Sequence, residues 1–207
     1  MRRLVRAATY AQLLDRATEF LRDVNFPTGV MPWRGGVLVS AAPEIFYAED
    51  TDGDGVADRR VTLFRGFVEG NQQHRLNGFC LGLDGWVYGA NGDSGGDIVA
   101  VGRLDGRPLA GGVPPVSLRG RDFRFRPDTG EFEAVEGQTQ YGRWRDDWGH
   151  WFGNANYAWL WTYPLPARQL ARNPHLAVRD LRTMLAAYEG GNRVHPLSRP
   201  LQRPNVV

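Results

Sequence analysis

The sequence predicts an all-β fold, a β-propeller represented by a partial ring of about three to four blades. Three observations predict it. Short apolar runs separated by turn signals fill most of the chain after Phe26. The 207 residues include 26 Gly, 13 Pro and 12% aromatics, a composition suited to many short strands and tight turns. The pattern also restarts near Phe26, Asn77 and Gly149, at intervals of roughly 50 to 70 residues, which suits four-stranded blades carrying insertions. A sandwich shares the short strands but not the restart.

Residues 1–19 read as an N-terminal segment, the tail of a preceding blade, and 20–207 as the propeller section. Leu13, Leu14, Ala17, Phe20 and Leu21 fit one face of a helix, or Ala17 to Val24 form an outer strand; the strand is the reading carried forward. Strands are expected at Gly36–Ala41, Glu44–Ala48 and Arg60–Phe64. A hairpin follows, with strands Phe79–Leu83 and Trp86–Ala90 joined by Asp84-Gly85, residues that tolerate the positive φ of a two-residue turn. Residues 102–115 are a Gly/Pro-rich insert. Asp122–Arg126 and Phe132–Val135 form another hairpin across Pro127-Asp128-Thr129-Gly130, with Arg124 and Arg126 on its solvent side. Tyr141–Tyr163 is crowded with Trp144, Trp148, Trp151, Trp159 and Trp161. Val178, Leu181, Met184, Leu185 and Tyr188 are expected to line a last helix, ahead of Gly190-Gly191.

The charge balance is 25 basic against 23 acidic residues, net +2, which gives no field that implies nucleic acid or an anionic membrane. All the basic residues are Arg. The single cysteine, Cys80, excludes an internal disulfide framework and a CxxCH haem attachment, and reads as a buried, inert thiol. No stretch approaches the ~18 apolar residues of a membrane span. The N-terminus lacks the continuous apolar core of a signal peptide. There is no GxSxG elbow, since Gly92-Asp93-Ser94-Gly95-Gly96 opens no helical pattern, and there is no HExxH or P-loop, which disfavours serine hydrolase, zincin and nucleotide-binding readings.

The stretch Asn71–Gly96, NQQHRLNGFCLGLDGWVYGANGDSGG, carries His74 at one end of the hairpin and Asp93 at the other. Antiparallel pairing returns those ends to one another, and a His oriented by a carboxylate is a general base. The alternative is that both cap strand ends. Asp50-Thr51-Asp52-Gly53-Asp54-Gly55-Val56-Ala57-Asp58 places carboxylates at positions 1, 3, 5 and 9, Gly at 6 and the Val56 carbonyl at 7 of a Ca²⁺ loop. Position 12 is Val61 rather than Glu, so this is a structural loop between strands and not an EF-hand; the alternative is a solvated acidic turn. His150 follows Asp146 and Asp147, close to Asn154 and Asn156, and either enters a site or packs among tryptophans. His175 and His195 receive no role.

The segments NFPTGV, AAPEIFYAEDTDGDGVADRR, GNQQHRLNG, GLDGWVYGANGDSGG, RGRDFRFRPDTGEFE, GQTQYGR, DDWGHWFG and HPLSRPLQR together resemble the propeller of membrane-bound dehydrogenases of planctomycete-type bacteria, from about Phe20 to Asn205. That family is similar to soluble quinoprotein glucose and sorbosone dehydrogenases, six-bladed propellers that use pyrroloquinoline quinone (PQQ) and Ca²⁺. The resemblance implies that His74 removes a sugar or polyol hydroxyl proton, that Asp93 orients it, and that Asn91 and Asn154 contact the cofactor. It further implies a haem domain or cytochrome as electron acceptor, and a periplasmic or exported parent protein of which this chain is a section. Two departures stand: Gly149–Asn154 contains no Arg where those enzymes place an Arg-Asn clamp, and Gln73 stands where an acid precedes the His. The other reading is a non-catalytic, Ca²⁺-stabilised propeller that binds glycan or protein through Trp144, Trp148 and Trp151.

Overall fold

The computed structural model describes residues 18–185 except 106, 108, 110, 112, 174, 177 and 179. It is an all-β arrangement of three antiparallel sheets, none closed on itself. The first contains β1 (Gly29–Trp33), β2 (Gly36–Ala41), β3 (Glu44–Glu49) and β4 (Arg59–Phe67), extended at the β4 edge by β7 (Gly96–Ala100) and β8 (Val116–Ser117). The second runs in the order β10 (Glu131–Val135), β9 (Asp122–Arg126), β6 (Val87–Ala90), β5 (Asn77–Leu81). The third contains β11 (Trp144–Arg145), β12 (Trp151–Ala155), β13 (Ala158–Thr162) and β14 (Thr183–Met184). A 3-10 turn, Gln72–His74, precedes β5, and a short helix α1 (Ala167–Leu170) follows β13.

Period-two patterning determines which side chains meet. In β2 and β3, Leu38, Ile45 and Tyr47 face one way and Val39, Phe46 and Ala48 the other, and all are buried. The first set packs on the second sheet through Phe79, Val87, Phe123 and Phe125, with Phe64 and Phe125 edge to face at 5.2 Å. Burying each such ring contributes about 1.5–3 kcal/mol. The opposite set is covered by Phe20, Leu21 and Val24. Residues 18–27 are therefore not the expected outer strand. Asp23 and Phe26 take φ of 56° and 46°, so the segment bends across the sheet face, and only Phe20 joins by backbone, accepting from the Ala57 N–H at 2.9 Å.

The second sheet turns its other face, with Trp86, Tyr88 and Val135, toward Trp151 of the third. Trp151 and Tyr88 lie 4.0 Å apart between ring centroids. That face was expected to be solvated at Arg124. Arg124 is instead buried beneath this contact, 4.3 Å over Trp86, donating to Asp84 and Glu133. Arg126 stays near the surface, 4.5 Å over Trp86 and paired with Glu131. The sheets thus stack in chain order, and their first strands adjoin: β1 packs on β5, and β5 on β11.

The remaining differences are local. The 77–90 hairpin closes through a three-residue loop, Leu83–Gly85, because Gly82 N–H donates to Trp86 O at 2.8 Å and Gly85 holds φ 75°. The insert expected at 102–115 does separate β7 from β8. The last expected helix is not formed where the chain is described: Val178 and Leu181 lie in no helix, and Thr183 and Met184 instead pair as a strand with β13, whose Trp161 and Thr162 supply the ladder; Tyr188 lies outside the described residues. No helix among the described residues is long and apolar enough to cross a membrane.

Candidate functional site

Three segments distant in sequence meet at His74. The first is the 3-10 turn, started by Asn71, whose side-chain oxygen accepts from Gln73 N–H at 3.0 Å. The second is the loop after β6. Its Gly92 has φ 70°, and a Cβ there would collide with the carbonyls of Arg75 and His74, so glycine is what allows the loop to approach. Asp93 follows at φ 74°, a left-handed conformation that Asp tolerates better than most residues. The third is the stretch 139–142 between β10 and β11, tied to the second by Gly92 N–H donating to Thr139 O at 3.0 Å.

The outcome is an Asp93 carboxylate oxygen 3.6 Å from His74 Nδ1. The other ring nitrogen, Nε2, lies 3.1 Å from Gln140 Nε2. Both members of the pair are partly open to solvent, whereas Gln140 is buried. Gln140 is fixed on every side: its N–H donates to Asn154 O at 2.9 Å, its carbonyl accepts from Asn77 Nδ2 at 2.9 Å, and its side-chain oxygen accepts from Asn156 N–H at 2.8 Å. Asn77 adds a bond to Arg75 O and accepts from Gly142 N–H at 2.6 Å, clasping the first segment to the third.

Asn91 and Asn154 hold the frame of this site. Asn91 is buried and donates to Leu118 O and Arg121 O while accepting from Gly95 N–H, so its amide closes the loops behind Asp93. Asn154 donates to Tyr141 O at 2.8 Å and reaches His74 only by way of Gln140. Below them Asp122, fully buried, accepts from Asn91 N–H, Thr139 N–H, the Thr139 hydroxyl and Arg143. Burial pushes the Asp122 carboxyl up from its ordinary range, opposed by Arg143 and by the Thr139 and Asn91 donors. Arg143 is also buried, binds Glu136 at 2.6 Å and stacks 4.5 Å over Tyr163.

The acidic loop joins β3 to β4. Oxygens of Asp50, Asp52 and Asp58 lie within 4.8 Å of one another, the hard donor type that calcium takes. Asp54 stands outside this group and accepts from Val56 N–H at 2.7 Å. Asp50 accepts from Gly55 and Gly53 N–H, which holds its carboxyl below the usual range.

His150 is not packed among tryptophans. It is 68% exposed and binds Asp146 at 2.8 Å, while Asp146 also accepts from the N–H groups of Trp148 and His150. Trp148 is 80% exposed and Trp144 57%, whereas Trp151 is half-buried. Cys80 is half-buried, and burial pushes its thiol up. A cavity of about 220 Å³ between the second and third sheets is lined by Asp84, Tyr88, Arg124, Glu133, Arg145 and Trp151, away from His74.

Asn77, Asp122, Gln140 and Arg143 match no sequence motif that would give them a role. Gln140 and Arg143 lie in the GQTQYGR stretch, where consecutive polar residues near a strand end were the available signal. No curated protein and no solved structure matches the chain. The family model described as a domain of unknown function, DUF7133, matches residues 12–207, and the chain belongs to that family.

Proposed function

We propose that this chain is a section of a β-propeller dehydrogenase in which His74 accepts the hydroxyl proton of a sugar or polyol and Asp93 orients the imidazole. The ring reading is supported by successive antiparallel sheets that stack face to face with β1, β5 and β11 side by side, as the innermost strands of neighbouring blades would be. The single observation that carries the chemistry is the His74–Asp93 approach, 3.6 Å across a gap of nineteen residues, at a partly open position. A neutral imidazole with its Nδ1 side toward a carboxylate presents the other nitrogen to a hydroxyl group.

Oxidising an alcohol also moves a hydride from the carbinol carbon to an acceptor. The resemblance implies PQQ, whose carboxylates call for cationic partners. The described groups in contact with His74 and Asp93 include no guanidinium, and the adjacent Arg75 is buried against Glu69 O. These residues do not fit the quinone, so they are assigned the hydroxyl proton alone, and the hydride passes to a two-electron acceptor of the quinone class held by other residues of the protein. The test is reduction of an artificial dye by the purified protein with sugars and polyols. Substrate-dependent reduction that falls in Asp93→Asn supports it; no reduction with any alcohol, with PQQ and Ca²⁺ supplied, contradicts it.

For the acidic loop, the donor set fits Ca²⁺, with Asp50, Asp52 and Asp58 as carboxylate ligands and a structural role in pinning β3 to β4. Ca²⁺ is expected to raise the melting temperature, and Asp52→Asn to remove that rise. An equal rise in the variant would contradict the assignment. A second reading, glycan binding by an aromatic rim, is favoured by the exposure of Trp144 and Trp148.

A further inference from the structure

We infer that Gln140 is a latch on His74: it fixes the proton of the neutral ring on Nδ1 and occupies the Nε2 lone pair, so that a substrate hydroxyl gains the base only by displacing the Gln140 amide. The inference rests on the proposed role of His74 for its functional meaning, but its geometry stands independently.

The chain of assignment begins at Asn156. A backbone N–H can only donate, and the Asn156 N–H lies 2.8 Å from one side-chain atom of Gln140, which must therefore be the oxygen. The nitrogen of the same amide then faces His74 Nε2 at 3.1 Å. An amide nitrogen can only donate, so Nε2 is the acceptor and carries no hydrogen. In the neutral ring the proton is left on Nδ1, where the nearest charged group is the Asp93 carboxylate at 3.6 Å. Hydrogen bonds on one nitrogen thus determine the tautomer at the other.

The latch is held at its base and at its amide oxygen, while its amide nitrogen is held by His74. The Gln140 backbone is bonded to Asn154 and Asn77, and its side-chain oxygen to Asn156. Against His74 it makes one neutral hydrogen bond. A ligand hydroxyl placed at Nε2 replaces that bond with one of the same kind, and the exchange is close to even when a ligand oxygen also accepts from the displaced amide nitrogen, which is otherwise a buried donor without a partner. Gln140 is therefore a positioning residue, acting on the base without touching the reacting carbon.

The test is long-range ¹H–¹⁵N correlation of the histidine rings in the full chain at alkaline pH, where imidazole is neutral. The chain has four histidines, few enough to assign with His74→Asn. The expected result is His74 with hydrogen on Nδ1 and a bare Nε2. Gln140→Glu keeps an oxygen for Asn156 but presents only acceptors to the ring, and is expected to bring a proton onto Nε2. Gln140→Met, which removes the donor, is expected to lose the Nδ1–H preference. Amide spectra report whether each variant folds. Hydrogen on Nε2 in the wild-type protein, or an unchanged ring in folded Gln140→Glu, would overturn the latch. If the ring behaves as expected while no alcohol is oxidised, the latch stands and the dehydrogenase reading falls.

Discussion

Two His–Asp pairs in the described chain use the same residue types in opposite ways. His150 and Asp146 are four residues apart, 2.8 Å from one another, and lie in a single turn in which Asp146 also caps two backbone N–H groups. His74 and Asp93 are farther apart in sequence and in space, at 3.6 Å, yet three segments, the half-buried Asn77 and the buried Gln140 converge on them. The tighter pair is a loop clamp that any Asx-turn makes from local bonds. The looser pair exists only because the fold assembles it. Close approach alone is thus a poor guide to a site; the number of independent elements that must cooperate is a better one.

The comparison can be broken at its foundations first. Arg143→Met leaves Asp122 and Glu136 buried without their cation, and is expected to cost about 3–5 kcal/mol in urea unfolding. In the fraction that folds, resonances around His74 should shift and those of His150 should not. A smaller loss in stability would mean that Asp122 is held by its Thr139 and Asn91 donors alone.

Gly92→Ala attacks the approach of the second segment. The left-handed φ and the collision with the Arg75 carbonyl together predict a loss of about 2–5 kcal/mol, with Asp93 withdrawn from His74. An unchanged melting temperature would show that the loop is free to sit elsewhere.

A pH titration sharpens the same contrast. Burial, with Asp122 close by, pushes the Tyr163 phenol up to about 12. The unfolded chain releases that proton near pH ~10, so the folded state retains it across the interval between. Stability from this group is fully present below pH ~10 and falls by about 2–3 kcal/mol as pH rises through about 12. Tyr163→Phe should flatten that alkaline limb, with stability against urea read at each pH. A limb that persists unchanged would place its cause elsewhere.

The smallest effect is expected at the local pair. Asp146→Asn should barely move the melting temperature, since an exposed pair of this kind contributes little. It should also leave the His74 ring spectrum untouched. A change there would couple two regions that the hydrogen bonds keep separate.

How much of this was legible follows from the range of each interaction. The strands of β2 and β9 match their expected bounds because period-two burial is written residue by residue. The His74–Asp93 approach was readable because one hairpin returns its own ends. β1 was missed because Pro32 interrupts it, which an edge strand permits. β7 was missed as a strand, and its partner β4 lies far back in the chain across the whole hairpin. Arg124 alternates as a solvent-facing residue would, and only the arrival of the third sheet turns that face inward. Gln140 had no legible role because its bond to His74 spans sixty-six residues and leaves no period in the sequence.

The most direct test compares the two histidines in one assay. Sugar- and polyol-dependent dye reduction would be measured for the wild-type protein, His74→Ala and His150→Ala, with melting temperatures in parallel. The assembled pair as the working base predicts that His74→Ala loses turnover at an unchanged melting temperature while His150→Ala retains it. Equal turnover in His74→Ala and the wild-type protein, or loss in His150→Ala alone, would contradict it.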